Sequence, residues 1–141
     1  MSLIIAKLTL LLTFGVGESQ LPACVIFVHD DPAFLASAAS AIQRSGYTVA
    51  AFSDPMQALS TLEKAKSAEL LVTRAEFSRG KPNGVSLALM ARVRRPGIKV
   101  LFMGRPEHDE HTRGLGDLLP ADASVADVVQ AAQRRLDRAL S

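Results

Sequence analysis

The chain has 141 residues, 48% of them hydrophobic and 21% charged, with sixteen Lys and Arg against fourteen Asp and Glu. That length suits one domain with a core of its own, and the composition excludes a disordered chain. A single cysteine excludes a disulfide framework and any multi-cysteine zinc site, while near-neutral charge, 5% aromatic residues and no Trp argue against nucleic-acid binding.

Residues 3–14, LIIAKLTLLLTF, are the most apolar stretch. The run is short of the roughly twenty residues that a membrane-spanning helix needs, so no membrane partner is expected. Gly15, Gly17 and Ser19 would suit a secretory cleavage region, but Lys7 sits inside the run and no basic segment precedes it. As a strand it places Leu8, Leu10, Leu12 and Phe14 on one face, and as a helix it is apolar nearly all round. Residues 1–22 are therefore read as an apolar arm outside a domain of residues 23–141. Such an arm packs on a second copy, giving a homodimer, or folds onto its own domain.

From residue 24 two periods alternate. CVIFVH (24–29) is a continuous apolar run, as in a strand buried on both faces. Asp30-Asp31-Pro32 then opens a helix, with Asp as cap and Pro in its first turn, an apolar stripe of Leu35, Ala38, Ala39 and Ile42, and Gly46 as its stop. Tyr47–Phe52 is a second strand, and Asp54-Pro55 opens a helix with Ala58, Leu59 and Leu62 on its apolar side. Leu70–Thr73 is a third strand and residues 75–83 a polar loop. Gly84–Arg95 is the next helix, broken by Pro96-Gly97, and Ile98–Met103 the fourth strand. A loop and a short charged helix fill 104–113, and Leu118-Leu119 lie in a short fifth strand. Ser124 caps a last helix bearing Val125, Val128, Val129, Ala132, Leu136 and Leu140 on one side, with Arg134, Arg135 and Arg138 near its C-terminus.

Five strands alternating with five helices predict a doubly wound α/β sheet in a single domain. Ligands of such sheets bind beyond the C-terminal strand ends. That places Asp30, Asp31, Arg74 to Glu76, Gly104, Arg105 and Pro120 to Ala123 around one crevice. No Walker loop, GxGxxG or Ser/His/Asp set is present, so an enzyme is not expected.

The segments VIFVHDDP, SGYTVAAFSDPMQALSTL, LLVT, NGVSLALMARVRRPGIKVLFM and SVADVVQAAQRRL, in this order and spacing, resemble a response-regulator receiver domain of two-component signalling. The resemblance covers about residues 24–137 and implies a flavodoxin-like five-stranded parallel sheet of order 2-1-3-4-5. It also implies phosphoryl transfer from a histidine kinase to an aspartate after the third strand, with Mg²⁺ held by that aspartate and an acidic pair after the first. A Ser or Thr after the fourth strand and a Lys after the fifth complete the family's pocket.

This sequence departs from that pattern at nearly every chemical position. The acidic pair aligns with His29-Asp30, keeping only Asp30, while Asp31 matches a variable acidic residue. Arg74 stands at the acceptor position and has no carboxylate to phosphorylate. Gly104 replaces the hydroxyl residue, Ala121 the lysine and Asp122 the proline after it, and Leu118 holds the aromatic switch position. The segment between strands four and five is about one helical turn shorter than the family's. The resemblance therefore points to a degenerate receiver, a pseudo-receiver whose switch is lost.

Arg74 is expected to pair with Asp30, a fixed cation in place of Mg²⁺, rather than extend into solvent. No cofactor is expected; Asp30 is the one candidate for a residual cation. Asp31 suits a helix cap, Glu76 is the carboxylate nearest the lost acceptor in sequence, and His108-x-x-His111 reads as a solvated surface pair. Cys24 suits a core thiol. These readings combine into a stand-alone, cytoplasmic module of phosphorelay signalling that binds a protein partner, a histidine kinase or a regulator, without aspartate phosphorylation. The alternatives are a phosphoacceptor using Asp30 or Asp31, and a small-molecule binder at the strand-end crevice.

Overall fold

The computed structural model describes residues 24–64, 67–77 and 83–137. The arm of residues 1–22, Arg138 and Leu140 lie outside the described residues. Strands β1 (Cys24–Val28), β2 (Thr48–Phe52), β3 (Ala68–Arg74), β4 (Lys99–Gly104) and β5 (Asp117–Pro120) form one sheet of order β2-β1-β3-β4-β5. All four pairings are parallel. Helices α1 (Pro32–Arg44), α2 (Pro55–Lys64), α3 (Gly84–Arg94), α4 (Asp109–Thr112) and α5 (Val125–Asp137) connect and cover it, with a 3-10 turn at Pro106–His108 before α4. This is the flavodoxin-like arrangement.

The pleat sorts the apolar strand residues into two cores. Val25, Phe27, Leu70, Val72, Leu101 and Met103 meet α1 and α5 through Leu35, Ala39, Val128 and Leu136. Ile26, Val28, Leu71, Val100 and Phe102 meet α2 and α3 through Ala58, Leu62, Leu87 and Ala91. Burial on both faces explains why β1 reads as an unbroken apolar run. Cys24, at its start, is 5% exposed, and burial pushes its thiol up from the ordinary value against a hydrogen bond with Thr48.

Boundaries differ from the sequence reading by a residue or two. β3 is longer, reaching back to Ala68 and on to Arg74, because its neighbours β1 and β4 pair with it along that length. β5 extends to Pro120, which an edge strand tolerates because its outer N–H needs no partner. The segment 104–113 follows the sequence reading of a loop and a short charged helix: a 3-10 turn at Pro106–His108 precedes the single turn of α4. Ser124 and Asp127 cap α5 reciprocally: Asp127 N–H donates to Ser124 Oγ and Ser124 N–H to Asp127 Oδ2. Lys99 Nζ donates to Arg135 O at 2.9 Å, and Arg135 pairs with Asp117, tying α5 to the sheet.

Candidate functional site

β1 and β3 are parallel neighbours, with Val28 beside Thr73, so the residues that follow them emerge together. His29 continues the strand by one bond, its N–H donating to Phe52 O, and its ring is buried against Phe34 at 4.8 Å between centroids. Nδ1 accepts from Asp31 N–H at 3.0 Å, which leaves the hydrogen of the neutral ring on Nε2. Burial lowers the affinity of this imidazole for a proton, and the Arg74 charge lowers it further, outweighing Asp30 and Asp31. The 3.9 Å approach of Nδ1 to Asp30 is therefore not an ion pair at neutral pH.

Asp31 is the cap of α1: its Oδ1 accepts from Ala33 and Phe34 N–H. Asp30 turns the other way. Arg74 Nη1 donates to Asp30 Oδ1 at 2.6 Å, with the two side chains 34% and 24% exposed. The base of Arg74 is clamped where α3 abuts the end of β3. Gly84 N–H donates to Ala75 O, and a Cβ on Gly84 would lie 1.6 Å from Arg74 O, so only glycine fits. Asn83 caps the same helix through Ser86 N–H at 2.7 Å.

A second network closes the other side. His108 Nδ1 accepts from Arg105 N–H at 3.0 Å, and Nε2 lies 3.2 Å from Glu76 Oε2. With Nδ1 accepting, Nε2 carries the hydrogen and donates to Glu76. Arg105 Nη2 also reaches Glu76 Oε2, at 3.3 Å. The His108 side chain is 16% exposed. It lies over Gly104, where a Cβ would be 2.7 Å from His108 Nδ1 and 2.9 Å from the Ala75 methyl. The space that a hydroxyl side chain would take at position 104 is filled by an imidazole from one turn later.

Between the two networks lies a cavity of about 340 Å³, lined by Asp30, Arg74, Glu76, Arg105, His108 and Ala121 among others. Asp30, Arg74, Gly104 and Ala121 thus come together as the sequence suggests, whereas His29 and Asp31 spend their polar atoms on the β1–α1 turn. Glu76 belongs to the site through His108 and Arg105 rather than through Arg74. His108 corrects the sequence reading: it is a structural plug, not a solvated partner of His111. The signal was Gly104, a missing side chain at a packed strand end, which demands a filler from elsewhere.

A divalent ion fits these residues poorly. Mg²⁺ needs hard oxygen ligands in near-octahedral order. Among the described residues no group of three His, Cys, Asp or Glu is placed to hold a metal. The Asp30 carboxylate, which lines the cavity, already carries the Arg74 guanidinium.

No protein-family model matches the chain, and no curated protein matches it. Solved structures do. A CheY-like response-regulator receiver domain from Methanospirillum hungatei superposes with a TM-score of 0.73 at 20% identity, covering 83% of this chain and 95% of that one. A response-regulator receiver protein from Sinorhizobium medicae gives 0.73 at 19% identity, covering 82% and 95%. A Burkholderia pseudomallei response regulator, solved with a phosphorylated aspartic acid and a calcium ion, gives 0.68 at 19% identity, covering 84% and 71%. The fold is that of receiver domains. No helix among the described residues is long and apolar enough to cross a membrane.

Proposed function

We propose that this chain is a receiver-like signalling module, cytoplasmic and non-enzymatic, that acts by protein–protein contact without aspartate phosphorylation or Mg²⁺. The observation that carries the reading is the 2.6 Å contact from Arg74 to Asp30, at the strand end where the resemblance puts the phosphoacceptor. A receiver switches when an added phosphoryl group draws the strand-end loops toward new negative charge. Here the β1 and β3 ends are joined by an internal cation, and the β3 and β4 ends by Glu76, Arg105 and His108. A pocket closed by its own side chains holds one state, so its partner surface is constitutive. The partner is a protein of a phosphorelay, a histidine kinase or another regulator, meeting β5 and α5.

Incubation of the chain with acetyl phosphate, and separately with beryllofluoride and Mg²⁺, tests this by intact mass and by melting temperature. The expected result is no adduct and no shift in melting. A covalent phosphate on Asp30 or Asp31 would replace this reading with that of an active phosphoacceptor.

A further inference from the structure

Helix α3 has an outward face that no described residue covers. Its inner side is Gly84, Leu87, Ala88 and Ala91. On the opposite side Leu89 and Val93, one helical turn apart, are 50% and 78% exposed. Arg92 marks one flank of this strip, its Nη2 donating to Leu115 O at 2.7 Å, and Arg94 marks the other, paired with Glu63 of α2. The strip points away from the sheet, on the side of α3 opposite its buried residues.

We propose that residues 3–14 of the same chain occupy this face. The run LIIAKLTLLLTF carries a single charge, Lys7, and enough apolar surface to cover Leu89 and Val93. It also lies within reach. Cys24 sits beside Ala68 and Leu70 beside Lys99, so the chain enters the sheet about two strand spacings, roughly 10 Å, from the start of β4. Helix α3 runs down to that same end, delivering the chain to β4 through Arg95 and Ile98. Residues 15–23 span up to about 30 Å when extended. So short a tether holds the run at an effective concentration of order millimolar, which favours its own α3 over that of a second copy. The inference is independent of the signalling reading.

Lys7 supplies the readout, because a docked run hides it from trypsin. The full chain is digested briefly, the first cuts are identified by mass, and the double variant Leu89→Glu/Val93→Glu is compared with Met56→Glu. Met56 is likewise an exposed apolar side chain, on α2, and serves as the control. Cleavage at Lys7 is expected to accelerate about tenfold or more in the double variant, as two half-lost apolar contacts imply, and to stay unchanged in the control. Circular dichroism should be the same in all three, since the substituted side chains are exposed. Equal cleavage at Lys7 in the double variant and the wild type would overturn the proposal. So would protection of Lys7 that rises with protein concentration, which would assign the run to a second copy and a homodimer.

Discussion

The interior of the sheet and the rim at its C-terminal strand ends are held by different forces. Inside, Phe27, Leu71 and Phe102 are fully buried among apolar neighbours, and apolar burial dominates. Three to five residues further along the chain from each, Asp30, Arg74, Glu76 and Arg105 are held by charge and hydrogen bonds in a partly wet cavity. The interior tolerates little change in volume, whereas the rim can exchange one set of charges for another at small cost in stability. A fold of this kind can therefore keep its core while the charged residues at its rim vary.

Substitutions graded across the two regions sharpen that contrast. Phe102→Ala empties a fully buried position and should cost about 3–5 kcal/mol in urea unfolding. Gly104→Ser forces a side chain against His108 and Ala75 and should cost about 1–3 kcal/mol. His108→Ala in the same chain should recover part of that loss, and failure to do so would mean that His108 is not the plug. Arg74→Ala removes the cation from a three-quarters-buried carboxylate and should cost about 1–2 kcal/mol, moderated by solvent. A double-mutant cycle with Asp30→Ala should give a coupling of the same sign; zero coupling would break the idea that this pair closes the pocket.

The smallest effect is a pH dependence. His29 is held neutral in the folded chain by burial and by Arg74, so the unfolded chain binds a proton more readily. The stability that this contributes is present above the ordinary histidine value of 6.5 and is lost as pH falls from there toward the depressed folded value. Melting temperature should decline below about pH 6.5, and His29→Gln should flatten the decline within that window.

The interior was legible from the sequence because burial writes a period. The unbroken run of β1, the Asp-Pro cap signals and the apolar stripe of α1 each fixed an element within a residue or two. The Arg74–Asp30 contact was legible only through the receiver resemblance, whose strand order sets β1 beside β3; the parallel pairing found there brings the residues after both strands together. The Glu76–His108 contact was not. It joins loops 32 positions apart, whose conformations depend on Gly104 having no side chain and on α4 being a single turn. Charged residues in a short polar segment carry no period, so the sequence left His108 beside His111 on a surface. The exposed strip of α3 was equally hidden, because Leu89 and Val93 put apolar residues on its outward side as well as its inward one.

The lone thiol at the foot of β1 makes the chain its own unfolding gauge. Cys24 is shielded, shares a hydrogen bond with Thr48 and resists ionisation, so a maleimide or disulfide reagent reaches it only when the sheet opens. Its labelling rate would report the opening of β1 without any introduced probe. A second cysteine placed on the rim could then carry a dye while the native one stays silent.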